Sequence, residues 1–173
     1  MFRFAYVGGS SRRIVAVGLA LALSAAAPAL AQRAAAAESG FGGVAGTWSG
    51  AGTISTASGN TERIRCRVNY TLTGGGNGLH QDLRCASDSY NFQVASDIVN
   101  QGGAISGTWS EVTRGVTGNV SGRMSGGAIQ VSVTGPAFSA GLSISTSGSR
   151  QTVMIRPSGG DIRDVSVSLL KGR

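Results

Sequence analysis

From Val44 onward, apolar and polar residues alternate with a period of two, broken by turn-forming clusters at 57–61, 74–78, 100–103, 125–127, 146–149 and 157–160. That period marks strands with one dry and one wet face. It is clearest over 62–73, where Ile64, Cys66, Val68, Tyr70 and Leu72 alternate with Arg63, Arg65, Arg67, Asn69 and Thr71. It continues through Leu79 to Cys85, Tyr90 to Ile98, Ile105 to Trp109, Val116 to Val120, Ile129 to Val133, Phe138 to Ile144, Val153 to Ile155 and Val165 to Leu169, with Met154 on the opposite parity. Counting a strand over 47–56, the pattern predicts about ten short strands and no amphipathic helix to cover them, so their apolar faces must bury one another. The expectation is an all-β antiparallel meander closed into a small barrel, with a β-sandwich as the alternative.

One hairpin register is testable from the sequence alone. A turn centred on Gly75 and Gly76 sets Leu72 opposite Leu79, Tyr70 opposite Gln81, Val68 opposite Leu83 and Cys66 opposite Cys85. A slip by one residue sends an apolar set to the wrong face, so the register is strongly specified. It makes the two cysteines cross-strand neighbours and predicts a structural disulfide.

The segment before this pattern has a different character. Arg3, Arg12 and Arg13 precede an apolar stretch over 14–27 and then Pro28-Ala29-Leu30-Ala31, which reads as a signal peptide over 1–31. Residues 32–43, with four consecutive alanines and Gly-Phe-Gly-Gly, are expected to form a flexible N-terminal segment, leaving 44–173 as a single barrel domain. Without residues 1–31, the formal charge falls from +7 to +4, and eleven of the twelve remaining basic residues are arginines. The expected location is the periplasm or the exterior.

Val44-Ala-Gly-Thr-Trp48-Ser49 returns as Ile105-Ser-Gly-Thr-Trp109-Ser110, and the repeat reads as a recurrent strand-entry motif. Gly46-x-Trp48 at the start of the first strand resembles the calycin group of lipocalins and avidins. The resemblance implies that Trp48 closes one end of the barrel under a basic side chain, for which Arg163 is the candidate. Arg65-Cys66-Arg67, Leu83 to Tyr90 and Gly107 to Glu111 are similar to a family of secreted Gram-negative bacterial proteins that supplies no activity. Gly46-x-Trp48 with Cys66 and Cys85 also resembles periplasmic metalloprotease inhibitors, which implies a protease-directed role for residues 32–43.

His80 and Asp82 share an outer face, but no nucleophile motif accompanies the only histidine, and the two cysteines are committed to each other. The reading is therefore a non-catalytic protein with no cofactor and no metal. Its expected partner is a small, partly apolar ligand or a cell-envelope component, with a periplasmic protease as the alternative. Tyr70, Phe92, Phe138 and Leu142 are the ligand-cavity candidates. Arg63, Arg65, Arg67 and Arg84 form a candidate anion patch, unless Asp82, diagonal to Arg67, and Asp88, opposite Arg63, already balance it. The basic face is short and holds no interleaved aromatic residue, which argues against nucleic acid. The wet face carries Arg, Asn, Ser and Thr, which argues against a membrane barrel.

Overall fold

A computed structural model describes residues 40–136 and 138–173. The expected signal peptide and residues 32–39 of the expected leader lie outside the described residues. Ten strands follow in order: β1 Gly46–Thr56, β2 Thr61–Thr73, β3 Gly78–Ala86, β4 Asn91–Gln101, β5 Ala104–Glu111, β6 Val116–Ser125, β7 Ala128–Gly135, β8 Phe138–Ser147, β9 Arg150–Pro157 and β10 Ile162–Lys171. Each pairs antiparallel with its neighbour in sequence, and β1 pairs with β10 to close the barrel. The alternating pattern produces this because closure lets every apolar face meet another while leaving no unpaired edge.

The strands are steeply tilted. Ile54, near the finish of β1, is level with Val165, Ile155, Leu142 and Val131 on β10 to β7, and then with Gly122, Ile105 and Asn100 on β6 to β4. The row therefore runs from one end of the barrel to the other, as the stagger of a closed sheet requires. We call the end where β1 starts the lower end and the opposite one the upper end.

All four residue pairs of the expected hairpin register are present, and Cys66 and Cys85 are bonded across it with their Cα atoms 4.1 Å apart. The register is held at a tight turn over Gly74–Gly76, where all three residues have positive φ, a conformation nearly free of cost only for glycine. Inside β1, a Cβ on Gly50 or Gly52 would fall 1.9 or 1.8 Å from the Ser168 or Ser166 carbonyl oxygen, so only glycine permits the close crossing of β1 and β10.

Two boundaries differ from expectation. Phe41, assigned from sequence to the flexible segment, is fully buried in a short 3₁₀ turn over Phe41–Gly43 that packs into the core. Burying a phenyl ring outweighs the local glycine content. Gly107 lies in the middle of β5 rather than at a strand entry, so the second copy of the Gly-x-Trp pattern is not the expected structural repeat.

Candidate functional site

The barrel's interior divides into a sealed lower end and an accessible upper part. At the lower end Trp48 is fully buried, and its Nε1–H donates to the Val44 carbonyl at 2.7 Å. Phe41, Val44, Leu79, Ile105, Ile129 and Leu169 are buried with it. Gln151, also fully buried, accepts from the Tyr70 hydroxyl at 3.1 Å and donates to Thr146 Oγ1 at 3.0 Å. Burial pushes the Tyr70 phenol well above its ordinary range, so it remains a neutral donor.

The basic group over Trp48 is Lys171, whose Nζ lies 5.4 Å from the ring centroid. This corrects the expectation for Arg163, whose side chain is 68% exposed and pairs with Asp164 at 3.2 Å. The cause is register: antiparallel closure puts the start of β1 against the finish of β10, so Trp48 is opposite Lys171, while Arg163 lies at the other end of the strand. At Gly46, φ is +109°, and a Cβ would sit 3.2 Å from Lys171 Cε. Glycine there both allows the bend and makes room for the lysine stem.

Toward the upper end, the inward-facing Leu83, Phe92, Val94, Val116, Val133, Leu142, Val153 and Ile155 pack against the core yet keep partial exposure, as Ile98, Met124 and Ile144 do nearer the lower end, whereas Ile54, Ile64, Val165 and Val167 on β1, β2 and β10 are buried. The accessible wall thus belongs to β3, β4 and β6 to β9. Two polar residues, Gln81 and Ser96, face inward on it, directly opposite each other in register.

The rim is built from aromatic and charged groups. Tyr90 and Phe92 stack with centroids 6.1 Å apart, and the Arg114 guanidinium lies 5.9 Å from the Phe92 centroid. Trp109 meets Phe138 edge-on at 5.8 Å and donates to the Thr134 carbonyl at 3.2 Å. A Cβ on Gly118 would fall 2.6 Å from Trp109 Nε1, so the indole occupies space that a side chain there would fill. Glu111, its side chain only 8% exposed, accepts from the Gln93 N–H at 3.1 Å and the Arg114 N–H at 2.6 Å. Burial alone raises its pKa, but these bonds and the Arg114 charge outweigh it and hold the carboxyl below its ordinary value.

Of the four cavity candidates, Phe92 and Leu142 therefore lie on the accessible wall, Phe138 stands at the rim, and Tyr70 belongs to the lower seal. Sequence reasoning missed Phe41, Gln151 and Lys171 in the seal and Trp109, Gln81 and Ser96 above it. Gln151 and Lys171 share the inward parity of their strands with Val153 and Leu169, a signal that was present in the alternation.

Outside the barrel, His80 stands between two carboxylates, with Nδ1 2.7 Å from Asp97 and Nε2 3.4 Å from Asp82. The Asp97 bond, chiefly, pushes the imidazole above its ordinary pKa. Arg65, Arg67 and Arg84 line an outer groove of about 660 Å³, and Arg63 lies on the same strand face beyond it. Arg67 is directly opposite Arg84, as expected, but β3 stops at Ala86, so Asp88 is not a strand partner of Arg63.

No family model and no curated protein matches this chain. Among solved structures it is similar to Rv2717c from M. tuberculosis, with a TM-score of 0.59 and 13% identity over 77% of this chain and 95% of that one. It is also similar to the S-type phycobiliprotein lyase CPES from Guillardia theta, with a TM-score of 0.55 and 10% identity over 77% and 90% of the two chains. These likenesses, with the ten-stranded closure, fit a calycin-like, lipocalin-type barrel fold.

Proposed function

We propose that this protein is an exported, non-catalytic binding protein of the periplasm or exterior that takes a small, partly apolar ligand into the upper part of its barrel. The observation that carries this reading is the contrast inside the barrel: apolar side chains around Phe92 and Leu142 face inward yet keep partial exposure, while Trp48 and Phe41 at the lower end are fully buried. An apolar wall open to water gains free energy when a ligand covers it, at roughly 25 cal/mol per Å². Gln81 and Ser96 supply the few polar contacts that orient such a ligand. The cystine fits an oxidising compartment, which supports export through residues 1–31. One similar barrel is named a lyase of phycobiliproteins. The non-catalytic reading rests on the lumen itself, where Glu111 is held by its own turn and the only histidine faces outward.

Titration with the neutral fluorophore N-phenyl-1-naphthylamine tests this. Saturable one-to-one binding is expected, weakened about tenfold by Phe92→Ala, which corresponds to about 1.4 kcal/mol. Leu142→Trp, which fills the lumen while keeping it apolar, should weaken it at least as much. Binding unchanged in both variants, or absent from the wild type, would overturn the reading. The protease-directed alternative requires a free arm, and Phe41 packed in the core confines such an arm to residues before 40.

A further inference from the structure

The groove on the outer wall is chemically unlike the lumen. Its lining is Ser49, Ala51, Arg65, Arg67, Arg84, Ala86, Asn91 and Gln93, over backbone at Gly50, Cys66 and Cys85. Three arginines line this groove of about 660 Å³, and no carboxylate does. Among the described residues the ion pairs join His80 to Asp82 and Asp97, Glu111 to Arg114 and Arg163 to Asp164, so none neutralises these arginines. Arg67 and Arg84 are cross-strand neighbours, an unfavourable placement for like charges unless an anion lies between them.

We propose that this groove binds a phosphate monoester carried on a hydroxyl-rich body such as a sugar. Three arginines lining one groove call for more than the single charge of a carboxylate, and a phosphate monoester carries about −1.5 to −2 at neutral pH. Arginine forks match its oxygens in pairs, which a lysine ammonium does not. Ser49, Asn91 and Gln93 offer uncharged donors and acceptors suited to hydroxyl groups. The lining holds no aromatic ring to stack a base and no long apolar side chain to cover an acyl chain. The volume is within the range of small-ligand sites. The inference is independent of what the lumen holds.

Calorimetry with glucose 1-phosphate, glucose and acetate at low salt tests it, alongside sedimentation with phosphatidylcholine vesicles with and without phosphatidylinositol 4-phosphate. Glucose 1-phosphate should bind, glucose and acetate should not, and binding should weaken as salt rises and as pH falls through about 6, where the phosphate loses charge. Binding to the phosphoinositide vesicles alone would assign the same phosphate chemistry to a lipid surface. The double variant Arg67→Gln/Arg84→Gln should lose at least tenfold, and Ala86→Glu, which keeps every arginine, should lose as much. The control Arg123→Gln/Arg150→Gln removes equal charge elsewhere and should leave binding unchanged. An equal loss in that control, unchanged binding in both groove variants, or no binding of either phosphate form would overturn the proposal.

Discussion

The lower and upper parts of the barrel are built from the same alternating strands but spend their inward positions differently. Below, large side chains converge on the axis from the first and last strands and from the short turn before β1, and the polar groups among them satisfy one another. Above, Val94, Val116 and Val133 stand at inward positions where the lower end has larger side chains, and they keep partial exposure. A closed sheet does not by itself decide whether a barrel is filled. Side-chain volume at each level does.

If the lower end is the stability centre, Trp48→Ala should destabilise the protein severely. It removes a fully buried indole and a 2.7 Å hydrogen bond. A loss of about 3 to 5 kcal/mol in urea unfolding is expected. A loss below about 1 kcal/mol would erase the contrast between the ends.

The cystine lies in the wall between the two ends. Closing a loop with a sequence separation of 19 should contribute about 3 kcal/mol, so Cys66→Ala/Cys85→Ala is expected to lower stability by that amount while keeping the barrel's circular dichroism. A free thiol detected in the native exported protein would contradict the pairing.

Smaller effects separate the two ends chemically. Glu111 at the upper end has a folded pKa below its unfolded value near 4.5, so its contribution is complete above that pH and is lost as pH falls through the lower folded value. Acid unfolding of Glu111→Gln should therefore be flatter than wild type below about pH 4.5, a difference read from unfolding curves at a series of pH values. Removing the lysine over Trp48, as Lys171→Met, should cost about 0.5 to 1 kcal/mol, whereas Arg163→Gln should change stability by less than about 0.5 kcal/mol. Equal effects would mean that Lys171 contributes nothing by covering Trp48.

Much of this architecture was legible in the sequence because strand parity is local. Which residues of 62–73 face inward follows from alternation, and the apolar matches across the glycine turn set the register that joins Cys66 to Cys85. The arginine face followed from the same parity. Its groove did not, since three arginines on two strands say nothing about the depth of the surface between them.

What the sequence by itself determined was therefore the strand pattern, the first hairpin and the cystine, all products of period-two burial over short separations. What only the tertiary structure decided was closure and its consequences. Lys171 rather than Arg163 covers Trp48 because β1 meets the finish of β10, more than a hundred residues away in the chain. Phe41 joins the core because the closed lower end offers a site for its ring. The two Gly-x-Trp segments diverge because one lies at the seal and the other near the rim. Such outcomes depend on which surfaces a closed, tilted sheet brings to the same level, and that is a property of the whole barrel.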